Sequence, residues 1–191
     1  KNQVIVFSYL DTFLQKKIIE NFSSKKSAYI LNRLNSDDRM MFFSSLTSLD
    51  QTYFLSLLNK KNKANVETLL GYPKNSVARI MNTNVATIHE ETTIGEGFLH
   101  LKSNYQDDEI INVIFVVKED NTLVDDVPIR AFVWNDNDKK VKDILDGFCP
   151  SLTITETKED AVIKFKEYDR DVLPVVNEAN ILLGVVTIDD I

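Results

Sequence analysis

Carboxylates are the chemistry this sequence has most to offer. They stand in adjacent groups: Asp37-Asp38, Asp107-Asp108-Glu109, Glu119-Asp120, Asp125-Asp126, Glu159-Asp160 and Asp189-Asp190. The ordinary reading of any one group is a solvated loop or a helix start. The functional reading is a store of hard oxygen ligands for a cation. Nothing beside them resembles an active site. Two histidines, His89 and His100, give a zinc site or a catalytic triad little to work with. His100 lies in helical register with Phe98 and Leu101, where a partly packed ring is expected. Cys149 is alone, which excludes a disulfide framework and reads as a small buried apolar side chain. With five glycines and no phosphate-cradling glycine loop, no enzyme is expected. One further constellation stands at the end of the chain, where Gly184, Thr187 and Asp190 are spaced by three. Thr187 offers a hydroxyl there and Asp190 a carboxylate. The same spacing also makes an ordinary helix cap.

Composition narrows the classes. The chain has 191 residues, 43% apolar and 27% charged, which is ordinary for a globular protein. Its 29 acidic against 22 basic residues leave a net charge of −7. That argues against nucleic acid as a partner and against an anionic membrane surface, both of which need a basic face. No apolar run approaches the length of a bilayer-spanning helix. Lys1 and Ile191 both fall in mid-pattern, so a longer parent protein is expected.

Two kinds of pattern divide the chain. Up to residue 74, polar start signals recur at Asp11, Ser23 or Ser24, Ser36 and Asp50. Apolar residues keep helical spacing between them: Leu14, Ile18 and Phe22; Tyr29, Ile30 and Leu34; Phe42, Phe43 and Leu46; Phe54, Leu57 and Leu58. Helices this short are marginal alone. Stacked against neighbours they form one continuous core, so an α-solenoid-like domain is predicted over 1–74, with the aromatic stripe inside it. Gly71-Tyr72-Pro73 ends the last helix, since proline disfavours helical geometry in the residue before it.

From residue 77 onward the chain is two worn copies of one unit. The starts run in step at an offset of 64, with Val77 on Val141, Ile80 on Ile144 and Thr93 on Thr157. The ends run in step at an offset of 59, with Ile114-Phe115-Val116-Val117 on Leu173-Pro174-Val175-Val176 and Leu123 on Leu182. Each copy reads as strand, helix, strand, strand. In the first, Thr87-Ile88 is extended, Thr93 caps a helix, Ile110–Val117 is a buried strand and Leu123-Val124 starts another. In the second the same elements fall at Leu152–Ile154, Glu159–Tyr168, Leu173–Val176 and Ile181–Thr187. Duplicated units pack against each other and leave clefts between them.

The wording of each copy resembles the cystathionine-β-synthase (CBS) motif, a paired regulatory module whose diagnostic end is glycine, apolar residues, Ser or Thr, and Asp. Copy two keeps this ending in Gly184, Thr187 and Asp190. Copy one departs from it, with Asp125, Pro128 and Ala131 at those places. The whole chain resembles the cytosolic region of the MgtE family of magnesium transporters and channels. The most specific pieces are the phrase from Leu69 through Ser76 into Val77-Ala78-Arg79-Ile80-Met81, and Tyr168–Val176 through Val186–Asp190. The resemblance implies a multidomain α plus α/β chain: a helical domain at 1–74, a first CBS motif at 77–133 and a second at 134–191, each a β-α-β-β-α unit.

By the same resemblance the chain is a Mg²⁺-sensing regulatory region that closes a pore at high Mg²⁺ and opens it at low Mg²⁺. It implies a homodimer through the CBS domains and a transmembrane pore domain of the same protein. It also implies a location on the cytoplasmic side of the membrane. Asp37, with Asp38 beside it, matches the family's helical-domain acid. Glu159, Asp169 and Asp190 match acids of the second CBS motif, and Asp189 adjoins Asp190. Met41 and Thr157 stand at usually acidic positions, so sites using them are expected to be weaker. ATP or another adenosine nucleotide is a possible second ligand, through Thr187 and Asp190 with Arg130 as a phosphate contact. Arg170 stands where related second motifs often carry an aromatic ring for adenine. The alternatives are a CBS-pair nucleotide sensor serving another enzyme or transporter, and a dimerisation scaffold without ligands.

Overall fold

The computed structural model describes residues 2–105 and 112–191. The Asp107-Asp108-Glu109 cluster and the start of the strand expected at Ile110 lie outside them. Six short helices come first: α1 (Asn2–Ser8), α2 (Thr12–Glu20), α3 (Ser24–Leu31), α4 (Ser36–Ser44), α5 (Ser48–Ser56) and α6 (Lys60–Gly71). No strand interrupts them. Asp11 and Ser23 cap α2 and α3 as expected, accepting from the backbone N–H groups of Leu14 and Lys26. The next two starts differ. Thr47 caps α5 and Asp50 lies inside it, where its carboxylate accepts from the Thr47 hydroxyl at 2.9 Å. Asn35 precedes α4, and the Ser36 hydroxyl is engaged elsewhere.

Helix α1 packs on α3, α2 on α4, and α4 on α6, so each helix leans on the one two places along. That is how short helices share one core. Phe42 and Phe43 are fully buried, and Phe42 meets Phe54 edge-on at 5.4 Å. Leu14 and Tyr29 depart from the expected stripe and face outward. Helix α2 instead turns Gln15 and Ile19 inward, because the Gln15 amide satisfies the Phe7 carbonyl in the last turn of α1.

The second half contains two three-stranded sheets of one topology. Strands β1 (Thr87–His89), β2 (Val113–Val117) and β3 (Leu123–Pro128) form one; β4 (Leu152–Thr153), β5 (Val172–Val176) and β6 (Leu182–Thr187) form the other. In each, the first pair is parallel and the second antiparallel, with a register shift at the equivalent places Val116/Val117 and Val175/Val176. Helix α7 (Ile94–Asn104) crosses over in copy one and α9 (Lys158–Tyr168) in copy two, while the four-residue α8 (Ala131–Trp134) follows β3. Thr93 and Thr157 open the crossover helices with reciprocal capping boxes to Glu96 and Asp160.

The copies are related by an approximate twofold, because long-range backbone bonds occur in exchanged pairs. Val77 N–H donates to the Glu156 carbonyl and Val141 N–H to the Thr92 carbonyl, both at 2.9 Å. Leu123 N–H donates to Asn180 and Leu182 N–H to Asn121, at 2.9 and 3.0 Å. The segment that leads into each copy is therefore stitched to the other copy. Phe115, Leu123, Val176 and Val185 fill the space between the sheets, with Cys149 packed against them.

One bond breaks the symmetry. Asn82 pairs with Val185 in both directions at 2.8 Å, crossing directly over Gly184. A Cβ at Gly184 would meet the Asn82 carbonyl oxygen at 2.7 Å. In copy one the equivalent residue is Asp125, fully buried, whose carboxylate accepts from the Gly147 and Asp126 N–H groups at 2.8 and 2.9 Å. A side chain there does what backbone contact does in copy two. Gly184→Ala should therefore lower stability by about 1–3 kcal/mol, the usual cost of overpacking a tight contact. Gly71→Ala, with nothing within 4 Å of the new methyl, should leave stability nearly unchanged. Denaturant unfolding of both variants checks this pair.

Candidate cation site between the helical domain and the second repeat

Helix α4 brings its N-terminal turn against the last turn of the chain, Ile188–Asp190. Between them lies a cavity of about 300 Å³ lined by Asp37, Asp38, Met41, Lys74, Lys158 and Asp190 among others. Asp37 is the most constrained of these. Its Oδ1 is buried and has no hydrogen-bond partner. Burial, with Asp190 and then Asp38 adding repulsion, pushes its carboxyl up to about 7. Arg39 stands two residues on, and its charge attracts both Asp37 and Asp38. That guanidinium is buried and spends its donors on the Leu31 and Leu34 carbonyls behind α3.

Three of the acids singled out in the sequence thus share one cavity. Met41 lines it as an exposed apolar side chain. The others stand apart. Glu159 is exposed and its carboxylate accepts from the Asn75 amide at 3.0 Å; contacts to its own backbone N–H and to Asn75 hold it below the usual range. Asp169 is exposed at the C-cap of α9 in the left-handed conformation, and Asp189 is exposed on the final turn. Thr157 makes the N-cap of α9, which an acid could also do.

The nucleotide constellation does not assemble as expected. The Thr187 hydroxyl and N–H both donate to Asp190 Oδ2, at 2.7 and 3.0 Å, so the pair closes on itself as a cap. Arg130 is exposed at the start of α8, equivalent to Asp189 in the other copy, and does not line the cavity with Asp190. Arg170 pairs with Asp126 at 2.9 Å and donates to the Phe148 carbonyl. His100 is exposed with its ring edge-on to Tyr105, not partly packed.

Among the described residues, ligand atoms of Asp125, Asp126 and Cys149 converge within 4.8 Å. Their chemistry is already committed. Asp125 holds two backbone N–H groups, Asp126 holds Arg170, and burial pushes the Cys149 thiol well up. A thiol is also a poor partner for a hard cation. The carboxylates of Asp37, Asp38 and Asp190 are spread more widely than that trio. Such a span suits an ion that keeps part of its water shell and takes one or two carboxylates, as Mg²⁺ does. The orphaned Asp37 Oδ1 is the atom such a shell would satisfy.

A group that sequence reading missed starts at Ser36, the residue before Asp37. The Ser36 hydroxyl donates to Asn82 Oδ1 at 3.1 Å and accepts from Thr83 N–H at 2.7 Å, and the Asn65 amide donates to the Thr83 hydroxyl at 3.0 Å. Neutral polar residues scattered over almost fifty positions carry no spacing signal.

The family model of the MgtE intracellular N domain matches residues 1–75, and that of the CBS domain matches 77–133 and 141–191. The magnesium transporter MgtE of Bacillus subtilis is 26% identical over 182 residues, which are 95% of this chain and 40% of that protein. The magnesium transporter MgtE of Enterococcus faecalis is 31% identical over 126 residues, 66% of this chain and 28% of that protein. The chain therefore spans less than half the length of these relatives. Among solved structures, the soluble part of a magnesium transporter superposes with a TM-score of 0.93 at 26% identity, covering 99% of this chain and 75% of that one. The cytosolic domain of the Mg²⁺ channel MgtE in complex with ATP gives 0.90 at 27% identity, covering 98% and 77%. With helices packed as a short stack and two exchanged αβ units behind them, the chain belongs to the MgtE family, of which it carries the intracellular N domain and the CBS pair.

Proposed function

We propose that this chain is the Mg²⁺-sensing regulatory region of a magnesium transporter or channel. Mg²⁺ in the cavity between α4 and Asp190 holds the helical domain on the CBS pair; its loss releases the domain and opens the pore. The observation that carries this reading is the buried Asp37 Oδ1, without a hydrogen-bond partner, on a carboxylate that Asp190 repels. Two carboxylates about 5 Å apart repel by roughly 3 kcal/mol at an effective dielectric near 20. A divalent ion reverses the sign of that contact. The surroundings favour docking otherwise. Residues 1–74 carry eleven basic against six acidic side chains, and residues 75–191 carry eleven against 23, so the two halves attract at longer range. Only where the acids meet is a counter-ion needed. Asp38 and Asp190 share the cavity with Asp37, while Mg²⁺ tightens the CBS dimer through Glu159, Asp169 and Asp190, with the exposed Asp189 beside Asp190. The location is the cytoplasmic side of a membrane, with the pore domain supplied by the rest of the protein. Among the described residues no helix is long and apolar enough to cross a membrane. Nothing in the cavity suggests an enzyme.

Dimerisation through the CBS pair has support in one repeated feature. Leu99 on α7 and Ile163 on α9 occupy equivalent positions and are 63% and 62% exposed. Two crossover helices that each present a large apolar side chain suit an isologous contact with a second copy. The ATP-bound relative supports nucleotide as a second ligand. In this chain Thr187 and Asp190 would have to open their mutual cap to receive it, and Arg130 would contribute from outside the cavity.

Three outcomes test the reading. Small-angle scattering should show compaction at millimolar Mg²⁺, absent with NaCl at matched ionic strength and lost in Asp37→Asn/Asp190→Asn. An unchanged radius of gyration would leave these acids as plain surface. Without Mg²⁺, docking should also depend on pH. The Asp37 carboxyl sits above its unfolded value, so the docked state is favoured below about pH 4 and loses that advantage as pH rises through about 7. Asp37→Asn should dock without Mg²⁺ and flatten the pH dependence of the scattering. Finally, Leu99→Lys/Ile163→Lys should shift the chain to monomer in sedimentation, with its circular dichroism preserved.

A further inference from the structure

The helical domain is held to the CBS pair by more than its acids. The connector at Tyr72–Ser76 is stitched down at its end. Lys158 N–H donates to the Asn75 carbonyl at 3.2 Å, Ser76 bridges Thr157, and the Asn75 amide reaches Glu159. Behind it, the Arg79 guanidinium reaches the Leu70 and Tyr72 carbonyls at the end of α6. On the opposite side lies the Ser36–Asn82–Thr83–Asn65 network. Ser36 and Asn82 are only 5% and 6% exposed. Asn82 is also the residue whose backbone is fixed to Val185. Ser36 is the residue before Asp37.

The geometry points to Ser36, Thr83 and Asn65 as a neutral latch that positions the α4 acids over Asp190 and sets the Mg²⁺ concentration at which the domain is released. This deepens the proposed Mg²⁺ sensing and rests on it. The latch links α4 and α6 of the helical domain to a segment that the second CBS motif holds rigidly. Its groups are uncharged, so it draws the domains together with or without the ion and is not screened by salt. It opposes the carboxylate repulsion at the neighbouring residue. The less the latch contributes, the more Mg²⁺ is needed to keep the domain docked. Its residues do not line the cavity; they position the acids that do.

The test is the midpoint of Mg²⁺-driven compaction of the whole chain, read by small-angle scattering at constant ionic strength. Ser36→Ala should raise that midpoint about fivefold, the effect of losing one net hydrogen bond. Asn65→Ala should raise it similarly, and the double variant by more than tenfold. The radius of gyration at saturating Mg²⁺ should stay that of the wild type. Asn65 lies inside α6, where alanine is a good helix former, so its variant folds even if Ser36→Ala weakens the start of α4. The shift should persist in added NaCl. Midpoints equal to wild type in both variants would overturn the latch while leaving Mg²⁺ sensing intact. So would a shift in Ser36→Ala alone accompanied by lost helical signal. A wild-type chain that does not compact with Mg²⁺ would overturn the sensing itself, and the latch as its threshold.

Discussion

The contact on which the molecule depends is the main-chain pairing of Asn82 with Val185 across Gly184. It needs a residue without a side chain in β6, because any Cβ would enter the Asn82 carbonyl. That approach fixes the segment after Arg79 on the second CBS motif. The Asn82 side chain, held by the same backbone, then reaches Ser36 at the start of α4. One residue thus belongs to both halves of the chain. The shared core follows the same line, since Val77, Ala78 and Met81 join the buried cluster of the helices to that of the second motif.

Electrostatics sets the state of this joint. The helical half is basic and the CBS half strongly acidic, yet Asp37, Asp38 and Asp190 share one cavity between them, with Lys74, Arg79 and Lys158 also in its lining. Burial makes that arrangement costly: Asp37 has lost water, and its Oδ1 has no hydrogen-bond partner in return. A protein that only needed the interface to hold would put an amide there. An acid kept at a site that penalises its charge is instead a lever that a proton or a cation can move.

The two CBS copies show how a duplicated unit diverges without losing its frame. Capping boxes at Thr93 and Thr157 and the exchanged linkers survive in both copies, because each supports the other's entry. The ends differ. Copy two keeps glycine for the Asn82 crossing. Copy one has Asp125, whose buried carboxylate is satisfied only because Gly147 and Asp126 offer their N–H groups to it. Pro128 and Ala131 in copy one leave no counterpart to the Thr187–Asp190 cap.

Local rules already written in the chain determined its elements. Helical spacing to residue 71, the caps at Asp11, Ser23, Thr93 and Thr157, and the offsets of 64 and 59 residues give the helical stack and the repeated unit. Asp37, Asp38 and Asp190 were legible as candidate ligands because the chain's resemblance to the MgtE family singled them out among several acidic groups. Their meeting was not. Spacing along a helix says which face a residue occupies, and nothing about which distant surface that face will meet. The Asn82 crossing decided that, and with it the desolvation that raises Asp37. Tertiary packing also separated Arg130 from Asp190, since an approximate twofold sends equivalent ends of the copies to different places. It also stitched the end of the Tyr72–Ser76 connector to the second motif through backbone bonds. Backbone groups are the same in every residue, so no side-chain pattern could announce those bonds.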